Sequence, residues 1–314
     1  MGIKRLKRGM AGNMPAANVR GFTLIELLMV LAILSVVMVA TYSLYIMQQR
    51  ITYVEVDVAE VQQNVRIAMD NIVSDLRLTG LLVPGGTDPL NAYSNNGGQN
   101  NSDTLTINTS SATGRFAVTS ADLTTNVSMA VPIAFNVMSA SEVDRFEIGD
   151  IARIINPGER GQPLNAYFTV TGKNSGVPSL TLTSSANGTN VKFKRGDIIA
   201  RTGSSAPDTY PNTILYCVGP DAACGPAVTT CPAGQSCLIR IANNTPSIVA
   251  TNMTDLQFRY ILDGSTAETD GPADLSQVRA VRTVITGETV DTAALSGAGA
   301  KSREVNTVVK LRNR

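Results

Sequence analysis

A long apolar stretch close to the amino terminus constrains the fold of this chain more than any other feature. Residues 22–47, FTLIELLMVLAILSVVMVATYSLYIM, contain a single charged side chain, Glu26. A helix of this length rises about 39 Å, at ~1.5 Å per residue, whereas the hydrocarbon core of a bilayer is about 30 Å thick. The sequence therefore predicts a membrane-spanning helix.

The charge distribution predicts how this helix is oriented. Residues 1–21 hold five basic side chains and no acidic one, so 21 of the 26 basic residues remain in the rest of the chain, against 25 acidic ones. Because cytoplasmic flanks are enriched in Lys and Arg, residues 1–21 are predicted to be cytoplasmic and the bulk of the chain extracytoplasmic. A cleavable secretory signal would have an apolar region of only about 7 to 15 residues, so an ordinary signal peptide is not predicted.

Glu26 is the unusual residue of the span. An ionised side chain at the centre of a membrane costs roughly 2.5 to 3.5 kcal/mol on insertion scales. We expect a partner that offsets this cost, the alternative being that the side chain snorkels to the cytoplasmic interface.

The helical pattern continues beyond the membrane. Neither Pro nor Gly occurs between Phe22 and Thr79, and apolar residues recur at alternating spacings of three and four, which draws one stripe along a helix. We expect this stripe to pack on the protein's own globular domain, although a two-chain coiled coil has the same spacing. The helix is predicted to end near Gly80 and Pro84. The stripe consists of Ile51, Val54, Val58, Val61, Val65, Ala68 and Ile72.

The segment RGFTLIELLMVLAIL, residues 20–34, resembles the class III signal of type IV prepilins. It has a basic leader that ends in Gly, then Phe, Thr, a short apolar run and Glu. The resemblance implies that a prepilin peptidase cuts between Gly21 and Phe22 and that the new amine of Phe22 is methylated. It also implies that Glu26 meets the amino-terminal charge of a neighbouring subunit in a filament, where opposite charges in a low dielectric attract strongly. Many major pilins have a Pro about twenty residues into the mature helix, and this chain has none there.

The body of the chain reads as short β-strands. Eleven runs rich in β-branched residues, from TLTINTS (104–110) to EVNTVVKLR (304–312), are separated by turn residues, whereas the polar residues 87–102 are predicted to form a loop. The segments RFEIGDIARI (145–154) and KFKRGDIIAR (192–201) repeat one strand and turn pattern. Strands in the carboxy-terminal half resemble those of minor pilins of the PilW type, related to J-type pseudopilins of type II secretion.

The predicted fold class is α+β and pilin-like, in which a long amino-terminal helix packs on an antiparallel β-rich head. The expected segments are a leader (1–21), a transmembrane half-helix (22–47), an amphipathic half-helix (48–84) and an extracytoplasmic head (85–314). Met10 and Met14 also precede the Gly21 junction, so the sequence leaves the start codon open.

Four cysteines lie within a Pro- and Gly-rich stretch of 21 residues: Cys217, Cys224, Cys231 and Cys237. Their clustering favours disulfides formed in an oxidising compartment, with three possible connectivities. A zinc site is disfavoured because the spacings lack C-x2-C pairs.

Composition argues against catalysis. The chain contains no His, which excludes His-based triads, general bases and metal ligands. No phosphate-binding or nucleophile motif is present, so we predict neither an enzyme nor a cofactor. Basic residues are scattered, and no nucleic acid partner is expected. The carboxylates of one loop are weak calcium candidates that do not match an EF-hand: Asp263, Glu268, Asp270 and Asp274.

The resemblance therefore implies a minor type IV pilin that helps to initiate pilus assembly, in a tip complex with other minor pilins. Its implied partners are a prepilin peptidase, minor and major pilins, the inner-membrane assembly platform and a candidate tip adhesin. It would span the inner membrane once, with its head in the periplasm, and later join the pilus at the cell surface. The alternatives are a minor pseudopilin of type II secretion and a membrane-anchored periplasmic binding domain.

Overall fold

The computed structural model describes residues 21–83, 87–128, 131–156, 167–184, 190–204, 210–219, 224, 231–232, 234–289 and 299–313. The chain divides into two compact units, residues 1–53 and 54–314. In the first unit the described residues form the beginning of a long helix, α1 (Leu24–Leu78). This helix includes an 18-residue window with a mean hydropathy of 2.6 and no buried side chain, so it is long and apolar enough to cross a membrane.

In the second unit, α1 ends at Leu78, earlier than the predicted limit of residue 84. Gly80 has a φ of +73°, a left-handed conformation that closes helices and suits glycine. A Cβ atom at Gly80 would also lie 1.7 Å from the carbonyl oxygen of Asn313. The helix therefore stops where the backbone reverses, as the sequence predicts for Gly80, whereas Pro84 lies outside the described residues.

The second unit is built from antiparallel strands, and every pairing among the described strands is antiparallel. A short helix, α2 (Ala140–Val143), lies among them. The strands are β1 (Leu90–Ser94), β2 (Thr104–Thr109), β3 (Phe116–Val118), β4 (Leu123–Ser128), β5 (Ile133–Asn136), β6 (Ile151–Ile155), β7 (Phe168–Asn174), β8 (Ser179–Ser184), β9 (Asn190–Phe193), β10 (Ile198–Gly203), β11 (Asn212–Val218), β12 (Cys237–Ala242), β13 (Thr245–Thr251), β14 (Met253–Leu262), β15 (Glu268–Thr269), β16 (Val278–Glu288) and β17 (Ser302–Lys310).

These strands form four sheets. Their orders are β1-β2-β11-β12-β13, β3-β10-β6-β7-β8-β5, β15-β14-β16-β17 and β4-β9. The long apolar helix followed by antiparallel sheets confirms the predicted α+β, pilin-like layout.

The first core joins α1 to the five-stranded and four-stranded sheets. Val61, Val65, Ala68 and Ile72 of the predicted stripe are buried in it together with apolar residues of β11, β14 and β16. The prediction that the stripe packs on the protein's own head is therefore confirmed for these positions. The helix α1 can approach β16 closely because position 287 is a glycine. A Cβ atom there would lie 2.6 Å from Val65 Cγ2.

A second core packs against the six-stranded sheet, which is inserted in the sequence between β2 and β11, and also includes Val143 of α2 and Phe193 of β9. The two similar segments of the sequence, residues 145–154 and 192–201, form matching turns here. The carboxylate of Asp150 accepts from the backbone N–H of Glu147, and that of Asp197 accepts from the N–H of Lys194. Each turn precedes a strand, and the two strands, β6 and β10, pair with each other.

All eleven predicted runs contain strands, but six further strands were not predicted: β1, β4, β5, β9, β13 and β15. The prediction of a loop over residues 87–102 is wrong at β1, because Leu90 is fully buried in the first core and Tyr93 packs against that core. The missed strands are short or polar, or contain a proline such as Pro246 in β13. Tertiary pairing rather than local propensity forms them.

Candidate processing and assembly site

The predicted processing junction lies directly before α1. Gly21, Phe22 and Thr23 are not helical, and α1 begins at Leu24. Phe22 is 88% exposed, and no described residue lies within 4 Å of a Cβ atom built on Gly21. The junction is thus exposed, non-helical backbone, and residues 1–20 of the predicted leader lie outside the described residues.

Thr23 and Glu26 close the first turn of α1 with reciprocal hydrogen bonds. The Thr23 backbone N–H donates to Glu26 Oε2 at 3.0 Å and the Thr23 hydroxyl donates to the same oxygen at 3.1 Å. In return, the Glu26 N–H donates to Thr23 Oγ1 at 3.3 Å. This is the capping box, in which an N-cap Thr and a Glu three residues later satisfy two otherwise unpaired N–H groups.

The capping box provides a partner for Glu26 that the sequence analysis missed. Its signature, Thr-x-x-Glu before an apolar run, is visible in the sequence as TLIE. The carboxylate also lies at the positive end of the helix dipole, which stabilises negative charge. Among the described residues, no hydrogen bond reaches the second carboxylate oxygen, Oε1.

Three hydroxyl groups within the apolar span bond to carbonyl groups of the helix itself. Ser35, Thr41 and Ser43 donate to carbonyl oxygens one turn earlier, at 2.8, 2.8 and 2.9 Å. These side chains therefore need no partner in a bilayer, where each unsatisfied polar group is costly. Glu26 stands out as the charged group of residues 22–47.

The four cysteines form two disulfides, Cys217–Cys224 and Cys231–Cys237. This is one of the three connectivities that the sequence left open. Cys217, Cys224 and Cys237 are buried with Ile239 and Ile241, in a small cluster distinct from the two larger cores. The disulfides thus tie Cys224 to β11 and Cys231 to β12, two neighbouring strands of the five-stranded sheet.

Three of the four calcium candidates make other contacts through their side chains. Glu268 pairs with Arg282 at 2.7 Å, and Asp270 pairs with Arg259. Asp274 accepts hydrogen bonds from the side chain and backbone of Ser276, which lower the pKa of Asp274. Within the described ranges, no three His, Cys, Asp or Glu side chains are grouped so as to hold a metal ion.

A buried polar cluster, also missed from the sequence, attaches α1 to the five-stranded sheet. Arg240 Nε of β12 lies 2.6 Å from Asp75 Oδ2 of α1, and the Tyr216 hydroxyl of β11 donates to the same oxygen at 2.6 Å. Burial, and then the charge of Asp75, raises the pKa of Tyr216 well above its usual value. Burial opposes the charge of Arg240, but the hydrogen bonds and charge of Asp75 raise the pKa of Arg240 overall.

Comparison with known families finds the prokaryotic N-terminal methylation motif over residues 16–42. The match supports a type IV pilin-like protein, a family that is structural rather than catalytic. The motif implies processing by a prepilin peptidase and assembly with other pilins, and together with the apolar helix it fits a membrane-anchored pilin. A search of the curated proteins returned no significant match.

Proposed function

We propose that this protein is a minor type IV pilin of the PilW type, which helps to initiate pilus assembly in a tip complex with other minor pilins. The observation that carries the proposal is the open Gly21–Phe22 junction followed by a helix whose first turn contains a capped carboxylate, within the methylation motif. The head supports it, since β-strands bury the second half of the same helix.

In this proposal Glu26 has two successive roles. Before assembly, its Oε2 atom caps α1 through Thr23. After cleavage, the methylated amine of Phe22 carries a positive charge at the start of each mature subunit. The Oε1 atom of Glu26 then accepts from the amine of a neighbouring subunit, because two opposite charges attract far more strongly in a low dielectric than in water. The pairing would set the axial register of the subunits.

The Glu26→Gln variant tests the assembly contact. Gln retains the acceptor oxygen of the capping box but removes the charge. Membrane insertion and cleavage should be unchanged, while the amount of this subunit in sheared pili should fall about tenfold, the effect of roughly 1.4 kcal/mol. Glu55→Gln, which alters an exposed carboxylate of the same helix, is the matched control. Normal incorporation of Glu26→Gln would refute the pairing.

The amino terminus of the mature protein tests the processing step separately. Mass spectrometry should find a chain that begins with methylated Phe22. A chain beginning at an unmethylated Met1 would contradict the pilin proposal. Recovery of the processed subunit with a secretion pseudopilus, and not with pili, would instead favour the type II secretion alternative.

A further inference from the structure

A cleft of about 460 Å³, lined by both polar and apolar atoms, opens in the head. Its described walls come from the segment after β2, the end of β10, and the hairpin of β12 and β13. Pockets that hold small molecules typically measure about 300 to 1,000 Å³. The cleft is therefore large enough for one sugar-sized ligand.

Two arginines line this cleft, and each is held from behind by a buried carboxylate. Arg201 Nε donates to Asp150 Oδ1 at 2.6 Å, and the side chains are 15% and 4% exposed. Arg240 Nε donates to Asp75 Oδ2 at 2.6 Å, and Arg240 Nη2 also donates to the Ala112 carbonyl. These contacts fix the guanidinium groups in place, so a ligand would not have to order them on binding.

Both guanidinium groups keep donors that the fold does not use. Three guanidinium nitrogens make no hydrogen bond among the described residues: both Nη atoms of Arg201, and Nη1 of Arg240. A guanidinium group presents its N–H donors in a planar fork that matches a carboxylate. The cleft therefore offers a preorganised site for a planar anionic group.

The local charge is balanced, which disfavours a doubly charged anion more than a singly charged one. Arg201 and Arg240 face Asp150 and Asp75, while Arg115 lies 3.5 Å from Glu147 and 3.7 Å from Asp150. The three basic side chains are thus balanced by three acidic ones. A phosphate dianion would enter without a net positive field, whereas a carboxylate brings a single charge that the fork can bind.

The other lining groups fit a polyhydroxylated ligand. Thr113, Thr245 and Ser247 contribute hydroxyl groups. Ser247 Oγ donates to the Arg240 carbonyl and Thr113 Oγ1 bonds to Ser111 Oγ, so Ser247 offers a ligand its acceptor positions. The Thr245 side chain is exposed and makes no hydrogen bond with the described residues. We propose that this cleft binds a hexuronic acid residue, either free or within an acidic polysaccharide, with its carboxylate on Arg201 and Arg240. This site goes beyond the proposed function and does not depend on it.

The test uses the full mature protein in a detergent without a sugar headgroup. Isothermal titration with D-galacturonate should show one site and a rise in the thermal unfolding midpoint, since a ligand of the native state stabilises it. D-Galactose, acetate and inorganic phosphate are the matched probes, and each should bind at least about tenfold more weakly. A short galacturonate oligomer distinguishes the two sources of the ligand. If it binds more tightly per sugar residue than the monomer, the ligand is a polysaccharide, and if it binds equally, the ligand is the free sugar acid.

Two variants locate the site. Arg201→Lys keeps a positive charge beside Asp150 but removes the planar guanidinium fork, and Thr245→Val replaces a hydroxyl by a methyl group. Both variants should bind galacturonate more weakly. Without ligand, their thermal unfolding midpoints should stay close to that of the parent protein. Arg282→Lys, the same change in an ion pair outside the cleft, should bind normally. The proposal is overturned if galacturonate does not bind, if galactose or acetate binds equally well, or if Arg282→Lys weakens binding as much as Arg201→Lys.

Discussion

At the residue scale, the ion pair of Asp75 and Arg240 attaches the second half of α1 to the head at one defined position. Both side chains are largely buried, and Tyr216 donates a further hydrogen bond to Asp75. A buried pair adds little compared with apolar packing, but removing one partner leaves the other charge without compensation. The cluster therefore acts mainly as a specific attachment between helix and sheet.

We predict that Asp75→Asn lowers the free energy of unfolding by about 3 kcal/mol, because Arg240 keeps its charge and loses its carboxylate. Urea denaturation followed by circular dichroism measures the change. Asp70→Asn, on an exposed position of the same helix, should change stability by less than about 0.5 kcal/mol. Equal effects of the two variants would contradict the attachment role.

Two buried tyrosines predict how stability depends on pH. Burial raises the pKa of Tyr216 and of Tyr260 above the ordinary value of 10.0, with Asp75 and Asp103 adding to it respectively. Above about pH 10 the unfolded chain releases these protons while the folded chain retains them, so the free energy of unfolding falls as the pH rises.

The measurement is a series of unfolding midpoints between about pH 9 and pH 11, about one unit to each side of the ordinary tyrosine pKa. The parent protein should lose stability above pH 10, and Tyr216→Phe should lose it less steeply because one of the two groups is gone. If Tyr216→Phe has the same pH dependence as the parent protein, the pKa of Tyr216 does not differ between the folded and unfolded states.

At the element scale, the contact between α1 and β16 depends on a glycine. The stripe residues Val61 and Val65 lie against Gly287, and a Cβ atom there would approach Val65 Cγ2 to 2.6 Å and Met253 Cε to 2.9 Å. These distances are shorter than normal carbon contacts of about 3.5 to 4.0 Å. The helix can therefore lie this close to the sheet only while position 287 lacks a side chain.

We predict that Gly287→Ala destabilises the protein by about 1 to 3 kcal/mol through overpacking. Chemical denaturation gives the value. In Gly299→Ala, where the added methyl group meets no described residue within 4 Å, stability should stay within about 0.5 kcal/mol of the parent protein. A Gly287→Ala variant as stable as this control would mean that α1 is free to shift.

At the scale of the whole molecule, the second unit contains two large cores that share no residue. The first combines α1 with the five-stranded and four-stranded sheets, and the second packs against the inserted six-stranded sheet. Separate cores can open separately, because local unfolding follows the contiguous units that pack together. We therefore expect the inserted sheet to unfold as a unit of its own.

Leu180→Ala tests this expectation, since Leu180 is fully buried in the second core. The cavity should cost about 3 kcal/mol. Hydrogen exchange should speed up in β5 to β8, while β14 and β16 keep their protection. Leu256→Ala, in the first core, should give the opposite pattern. Uniform loss of protection in both variants would show a single cooperative unit.

Much of this organisation follows from local features of the sequence. The apolar residues 22–47 require a span-length helix, the spacing of three and four predicts which face of α1 is buried, and Gly80 predicts where the helix ends. Eleven strands follow from β-branched runs between turns, since alternation and β-branched enrichment are local patterns that can be recognised without knowing the partner strand.

Only the tertiary structure decided which distant residues meet. The pairing of Asp75 with Arg240 joins positions 165 residues apart, and the cysteine connectivity and the division of the head into two cores depend in the same way on how the strands pair. Such contacts are set by packing and by the register of the sheets, to which local propensity contributes little. The sequence by itself determined a membrane helix with a carboxylate near its start, and the tertiary structure decided what the head presents on its surface.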